Sequence, residues 1–164
     1  MEQLANLVVS ESELGNIARI LGRLSLETGA GHVVLLDKSG QIISTQGSVG
    51  KRDMIALGAL LAGAFSSSRR VAEILGEQDF RNILQQGVHE SISSTLIGDQ
   101  WLLVVVFDKQ THIGLVKVLS RRAAQELESV LDRVRSDGSS SKEQVVSVQF
   151  RNSVGNTIDL LFQD

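Results

Sequence analysis

The chain has no cysteine in its 164 residues, so neither disulfides nor thiolate metal sites can contribute, and nothing in the composition asks for an oxidising compartment. Long apolar runs are missing too. With a hydrophobic fraction of 42% and no stretch near the ~18 residues of a membrane span, the expected class is a soluble globular protein. Positive charge is sparse: the net charge is −3, the pI is about 5.6, and the pairs Arg69-Arg70 and Arg121-Arg122 are too short for the clustered cationic face that nucleic acid requires. They read as solvated helix faces. The first ten residues carry no basic segment followed by a long apolar one, so a secretory signal is not expected and the cytoplasm is the expected compartment.

Recognisable chemistry is also scarce. Gly50-Lys51 sits between a predicted strand and a predicted helix, where a phosphate loop belongs. Thr45 replaces the first glycine of that motif, however, and Arg52 replaces the hydroxyl residue that binds magnesium. Gly29-Ala30-Gly31 begins like a dinucleotide fingerprint, but Val34 occupies the third glycine position and the segment precedes a strand. It reads as a helix terminator. His32, His89 and His112 have no second ligand at i+3 or i+4 and are expected at the surface or in turns. Asp37 and Asp108, at strand ends, are the least implausible acid–base candidates, with turn capping as their simpler role. No cofactor and no metal are expected.

The periodicities that are present give an ordered series of elements. Ser10 and Glu13 fit a capping box, after which Leu14, Ile17, Ala18, Leu21 and Leu24 follow helical spacing until Gly29. His32 to Asp37 and Gln41 to Gln46, joined by Lys38-Ser39-Gly40, read as a hairpin. Asp53 is placed to cap a helix from Met54 to Leu75, roughly 33 Å long, that stops at Gly76. Ile83 to Glu90, Ser91 to Gly98 and Trp101 to Asp108 read as three more strands, the last apolar from Trp101 to Phe107 and so central. A final helix capped by Thr111 is expected to end near Ser136, followed by residues 137–142 of linker composition and a tail. The order implies an α/β (α+β) fold, an antiparallel sheet with helices on its faces.

The middle helix has two different sides. Met54, Leu57, Leu61, Phe65, Ala72 and Leu75 form a bulky stripe suited to rest on the sheet. Gly58, Ala59, Ala62, Gly63, Ser66 and Arg70 form a second stripe of mostly small residues. Each interior glycine costs a helix roughly 0.5–1 kcal/mol relative to alanine, so two on one side suggest that another backbone approaches there. Tight packing on the chain's own sheet is the alternative.

Several of these segments, in order, resemble the roadblock-domain family. Val33 to Ser44 is similar to its first hairpin, while Trp101 to Asp108, Gly114 to Lys117 and Arg121 to Leu127 are similar to its last strand and last helix. The nearest likeness is to members that regulate a small Ras-like GTPase of bacterial polarity, the MglA type. The resemblance covers about Ser10 to Val134. It implies a roadblock domain over residues 10–136 with a five-stranded antiparallel sheet, a long helix on one face and two on the other, and a flexible linker and tail over 137–164. It further implies a homodimer in which middle helices pack together and third strands pair, with two copies of the chain per GTPase. Nucleic acid and membrane are not implied as partners.

Carried over by position, the contact comprises Ala59, Ala62, Gly63, Ser66, Ser67 and Arg70. The tail segment Thr157 to Phe162 is similar to one that reaches the GTPase separately and favours nucleotide exchange, with Ile158, Leu161 and Phe162 as apolar anchors at i, i+3 and i+4. Gly155, Asn156 and Thr157 stand where that segment is more acidic. The family resemblance implies no catalytic residues of the chain's own. It implies stimulation of GTP hydrolysis by repositioning groups the GTPase already owns, with Arg69 and Arg70 in salt-bridge or rim roles and not as inserted fingers. A dimeric scaffold without stimulating activity is the first alternative, and a small-molecule sensor is the second.

Overall fold

In a computed structural model of the chain, residues 7–48 and 53–161 are described, with backbone only for 139–161. The elements follow in the order α1 (Glu11–Thr28), β1 (His32–Asp37), β2 (Ile42–Gly47), α2 (Met54–Leu75), β3 (Asn82–Gln86), β4 (Glu90–Ile97), β5 (Trp101–Asp108) and α3 (Ile113–Leu161). All strand pairings are antiparallel and the sheet order is β2-β1-β5-β4-β3. Strand β5, apolar from Trp101 to Phe107, is central, as its composition predicts, and β2 and β3 form the edges.

Because side chains alternate across a strand, β1 and β5 feed two cores. Val33, Leu35, Leu103, Val105 and Phe107 point to one side, where α1 supplies Ile17, Leu21 and Leu24 and α3 supplies Leu127, Val130 and Leu131. Val34, Leu36, Leu102, Val104 and Val106 point to the other, where α2 alone supplies Leu61 and Phe65. The long helix thus covers one face and the two remaining helices the opposite one. Two ion pairs tie α1 to α3, Arg23 with Glu126 and a two-pronged contact of Arg133 with Glu13 at 2.8 and 3.2 Å.

The hairpin between β1 and β2 closes through Asp37, whose Oδ1 accepts from the backbone N–H of Ser39 (2.9 Å) and of Gln41 (3.0 Å) and from the Ser39 hydroxyl. Asp108 Oδ1 likewise accepts from the Gln110 N–H at 2.9 Å. Both carboxylates are engaged in turns. Half of the expected capping box forms: Ser10 Oγ accepts from the Glu13 N–H at 3.3 Å, while the Glu13 carboxylate serves Arg133 and Asn16.

Several expectations are corrected. His32 is buried at the start of β1 and not in a turn. The third strand stops at Gln86, earlier than expected, because the chain turns at Gly87, whose N–H donates to the Glu90 carbonyl at 2.9 Å. The last helix begins at Ile113, which puts His112 and not Thr111 at the cap position. It also continues through Gly138 and Ser139–Ser141 to Leu161, where a linker had been expected from residue 137. Glycine costs a helix interior about 1 kcal/mol and serine roughly half that, which weakens a helix without removing a backbone bond. Only proline does that, and the chain has none.

Candidate functional site

Helix α2 begins at Asp53, whose Oδ1 accepts from the Ala56 N–H at 3.0 Å, and ends at Gly76 in the left-handed conformation. From Met54 to Ser68 it carries no charged residue. Its inner side rests on the sheet through Gly58, Leu61, Phe65 and Ala72. The glycine belongs here for a specific reason: a Cβ on Gly58 would lie 2.6 Å from the carbonyl oxygen of Gly40, in the β1–β2 turn, and 3.2 Å from Leu36 Cδ2. Gly58 therefore serves the chain's own packing, which corrects its assignment to the outward stripe.

The remaining members of that stripe do face outward. Ala59, Gly63, Ser66, Ser67 and Arg70 are exposed, and Ala62 is half-buried at the margin. A Cβ on Gly63 would meet nothing within 4 Å. Around these small residues stand bulky apolar ones that the reading of the sequence did not single out: Ile55 (81% exposed), Leu60 (71%), Val71 and Ile74 (75%). The signal was present, since these are the apolar positions of α2 that fall outside its bulky stripe. Leu75, which had been assigned to that stripe, is exposed as well. From Ile55 to Ser68 the outer side of α2 is thus a shallow uncharged strip, low in its middle and closed beyond by Arg70, Val71 and Ile74.

The two arginines that close the strip are both paired. Arg69 Nε donates to Asp79 Oδ1 at 3.1 Å, and Arg70 Nη1 pairs with Glu73 within the helix. Beneath α2, Ala62, Phe65, Ser66 and Arg69 border a cavity of about 50 Å³ that reaches the β4–β5 turn at Asp99. It has room for ordered water but falls well short of the ~300 Å³ of a metabolite pocket. Among the described residues no group of histidines and carboxylates is arranged to hold a metal, and no helix is long and apolar enough to cross a membrane. The side chains of Ile158 and Leu161 are outside the description, as is Phe162 altogether.

Residues 17–107, which contain all of the sheet but the last residue of β5 together with α2, match a known family pattern, that of the Roadblock/LC7 domain. The chain belongs to the Roadblock/LC7 domain family. Among solved structures of this family, it is similar to Myxococcus xanthus MglB, with 34% identity, a TM-score of 0.74, and coverage of 78% of this chain and 96% of that one. It is also similar to the gliding protein MglB from Thermus thermophilus, at 26% identity and a TM-score of 0.74 over 78% of this chain and 97% of that one. An uncharacterised protein of Methanocaldococcus jannaschii is 29% identical over 118 residues, 70% of this chain and 98% of the relative. The roadblock match runs from α1 to β5 and so contains the whole of α2.

Proposed function

We propose that this roadblock chain is a homodimeric regulator of a small Ras-like GTPase of the MglA type, and that the outer side of α2 is its docking surface. The observation that carries the reading is the uncharged strip itself. A single chain in water would leave Ile55 and Leu60 exposed at one end of this strip and Val71 and Ile74 at the other, which is the kind of surface that partners cover. The glycine and alanines between them let another backbone approach. The outer edge of β3, unpaired among the described residues, offers a second place for a like chain to add. The likeness to MglB, including one described in a tetrameric arrangement, supports self-association and a regulatory role.

In this reading two copies engage one GTPase through Ala59, Ala62, Gly63, Ser66, Ser67 and Arg70. The dimer binds the GTP state more tightly and biases a flexible switch segment toward its hydrolytic arrangement, so differential contacts do the work and no group of the chain enters the chemistry. The tail residues Ile158, Leu161 and Phe162 form a separate contact that favours nucleotide exchange. The setting is cell polarity or gliding motility, in the cytoplasm with enrichment at a pole.

The test is phosphate release from a purified MglA-type GTPase with and without the chain. Faster release that disappears with Ala62→Arg supports the proposal. Binding without acceleration leaves a dimeric scaffold, and binding that survives Ala62→Arg removes α2 as the docking surface.

A further inference from the structure

On the sheet face opposite α2, the side chains change character from the centre to the β3 edge. The β5 row on that face is Leu103, Val105 and Phe107, and their cross-strand partners on β4 are Thr95, Ser93 and Ser91. Asn82 of β3 lies opposite Thr95 and donates to its hydroxyl at 2.8 Å and to that of Ser93 at 3.4 Å. A sheet half that only needed covering by a helix would be aliphatic here. A groove of about 510 Å³, floored by Asn82, Thr95 and Leu96, opens between this edge of the sheet and α3, within the range of ligand clefts.

Its walls are mainly cationic. Lys117 and Arg121 line it from successive turns of α3, Arg81 from the start of β3, and Glu128 is the one carboxylate. Among the described residues none of the three cations is in an ion pair. In an acidic protein, three unpaired cations around one groove form a local positive field.

We infer that this groove binds an extended acidic peptide segment of a partner protein. Arginine forks and a lysine match carboxylates, and the floor offers donors and acceptors to a peptide backbone. From Lys117 to Glu128 the α3 wall measures roughly 16 Å, the length of about five extended residues. Glu128 sets a direction, since it repels a uniformly charged polyanion but accepts a segment whose acidic residues are followed by a polar or basic one. Because the groove and α2 occupy opposite faces of the sheet, the segment and a partner on α2 bind at once.

The experiment uses the full chain and a fluorescein-labelled octapeptide, Gly-Glu-Asp-Glu-Ser-Ser-Lys-Gly, followed by anisotropy at low salt. Saturable binding is expected, weakened about tenfold or more by Lys117→Glu with Arg121→Glu, a loss equivalent to one or more charge-assisted hydrogen bonds. All these side chains are exposed, and circular dichroism checks that the variants fold. The control Arg19→Glu, on α1, a single charge reversal away from the groove, is expected to change affinity by less than about twofold. Amide shifts in isotope-labelled protein should cluster at Asn82, Thr95 and Gln125. No saturable binding, an equal loss in Arg19→Glu, or displacement by tripolyphosphate more readily than by unlabelled peptide would each overturn the inference.

Discussion

Gly58, in the second turn of α2, lies against the carbonyl of Gly40 so closely that a methyl group on Gly58 would stand 2.6 Å from that oxygen. Gly63, five residues later, faces open space. Two glycines of one helix thus have different causes, and each substitution has its own expected outcome. Gly58→Ala must push the β1–β2 turn away and should destabilise the fold by about 1–3 kcal/mol, more than alanine's helical advantage of ~0.5–1 kcal/mol returns. Urea denaturation measures it, and a Gly58→Ala variant as stable as the parent would contradict the packing described.

Gly63→Ala leaves the chain's own packing untouched, so it should raise helix stability by about 0.5–1 kcal/mol. Any weakening it causes should depend on protein concentration, the mark of an intermolecular contact. Denaturation repeated over a hundredfold range of concentration would separate the two effects. A concentration-independent loss would mean that Gly63 is buried within the chain after all.

The clasp between Glu13 and Arg133 gives a pH dependence. Hydrogen bonds from the Arg133 guanidinium, with a smaller one from Asn16, hold the Glu13 carboxyl below the usual carboxylate range. A folded-state value below the unfolded one means that the clasp contributes fully above the unfolded value and is lost as pH falls through the folded value. Glu13→Gln should therefore lower the melting temperature at pH 7, with the gap to the parent closing in acid. A gap that stays constant down to pH 2 would show that the charge on Glu13 has no part in joining α1 to α3.

Much of this architecture can be read from residue order. Ser10 and Gly29 bound α1, Asp53 and Gly76 bound α2, and the unbroken apolar run from Trp101 to Phe107 marks the buried centre of the sheet, because each is a local preference with a local cause. Features that depend on distant residues are not legible in this way. Nothing near Gly58 tells that Gly40 will meet it, and nothing near Glu13 tells that Arg133, 120 positions away, will take the carboxylate from its own helix cap. The far end of α3 escapes such a reading for a third reason: Gly138 and the serines after it have turn-forming composition, yet a turn preference of about 1 kcal/mol or less per residue does not by itself end a helix. Of the proposed docking strip, the small residues are visible as an anomaly in α2, whereas Ile55, Leu60, Val71 and Ile74 become informative only once the sheet is known to lie on the other side.

Arg69 and Arg70 are held by Asp79 and Glu73, and exposed pairs of this kind contribute about 0–1 kcal/mol each. Replacing both by alanine should cost little stability and leave most of any stimulated GTP hydrolysis in place. Single-turnover hydrolysis measures this directly. Near-complete loss of stimulation with GTPase binding preserved would assign one of them an inserted catalytic role.

The most direct test of α2 as a surface made for another chain is Gly63→Arg, which places a long charged side chain in the lowest part of the strip. Leu26→Arg on α1, where Leu26 is 85% exposed, serves as the control. Sedimentation velocity, alone and with a GTP-loaded MglA-type GTPase, should show Gly63→Arg reduced in mass and unable to capture the GTPase, while Leu26→Arg behaves as the parent. A Gly63→Arg protein that assembles and binds like the parent would contradict the account.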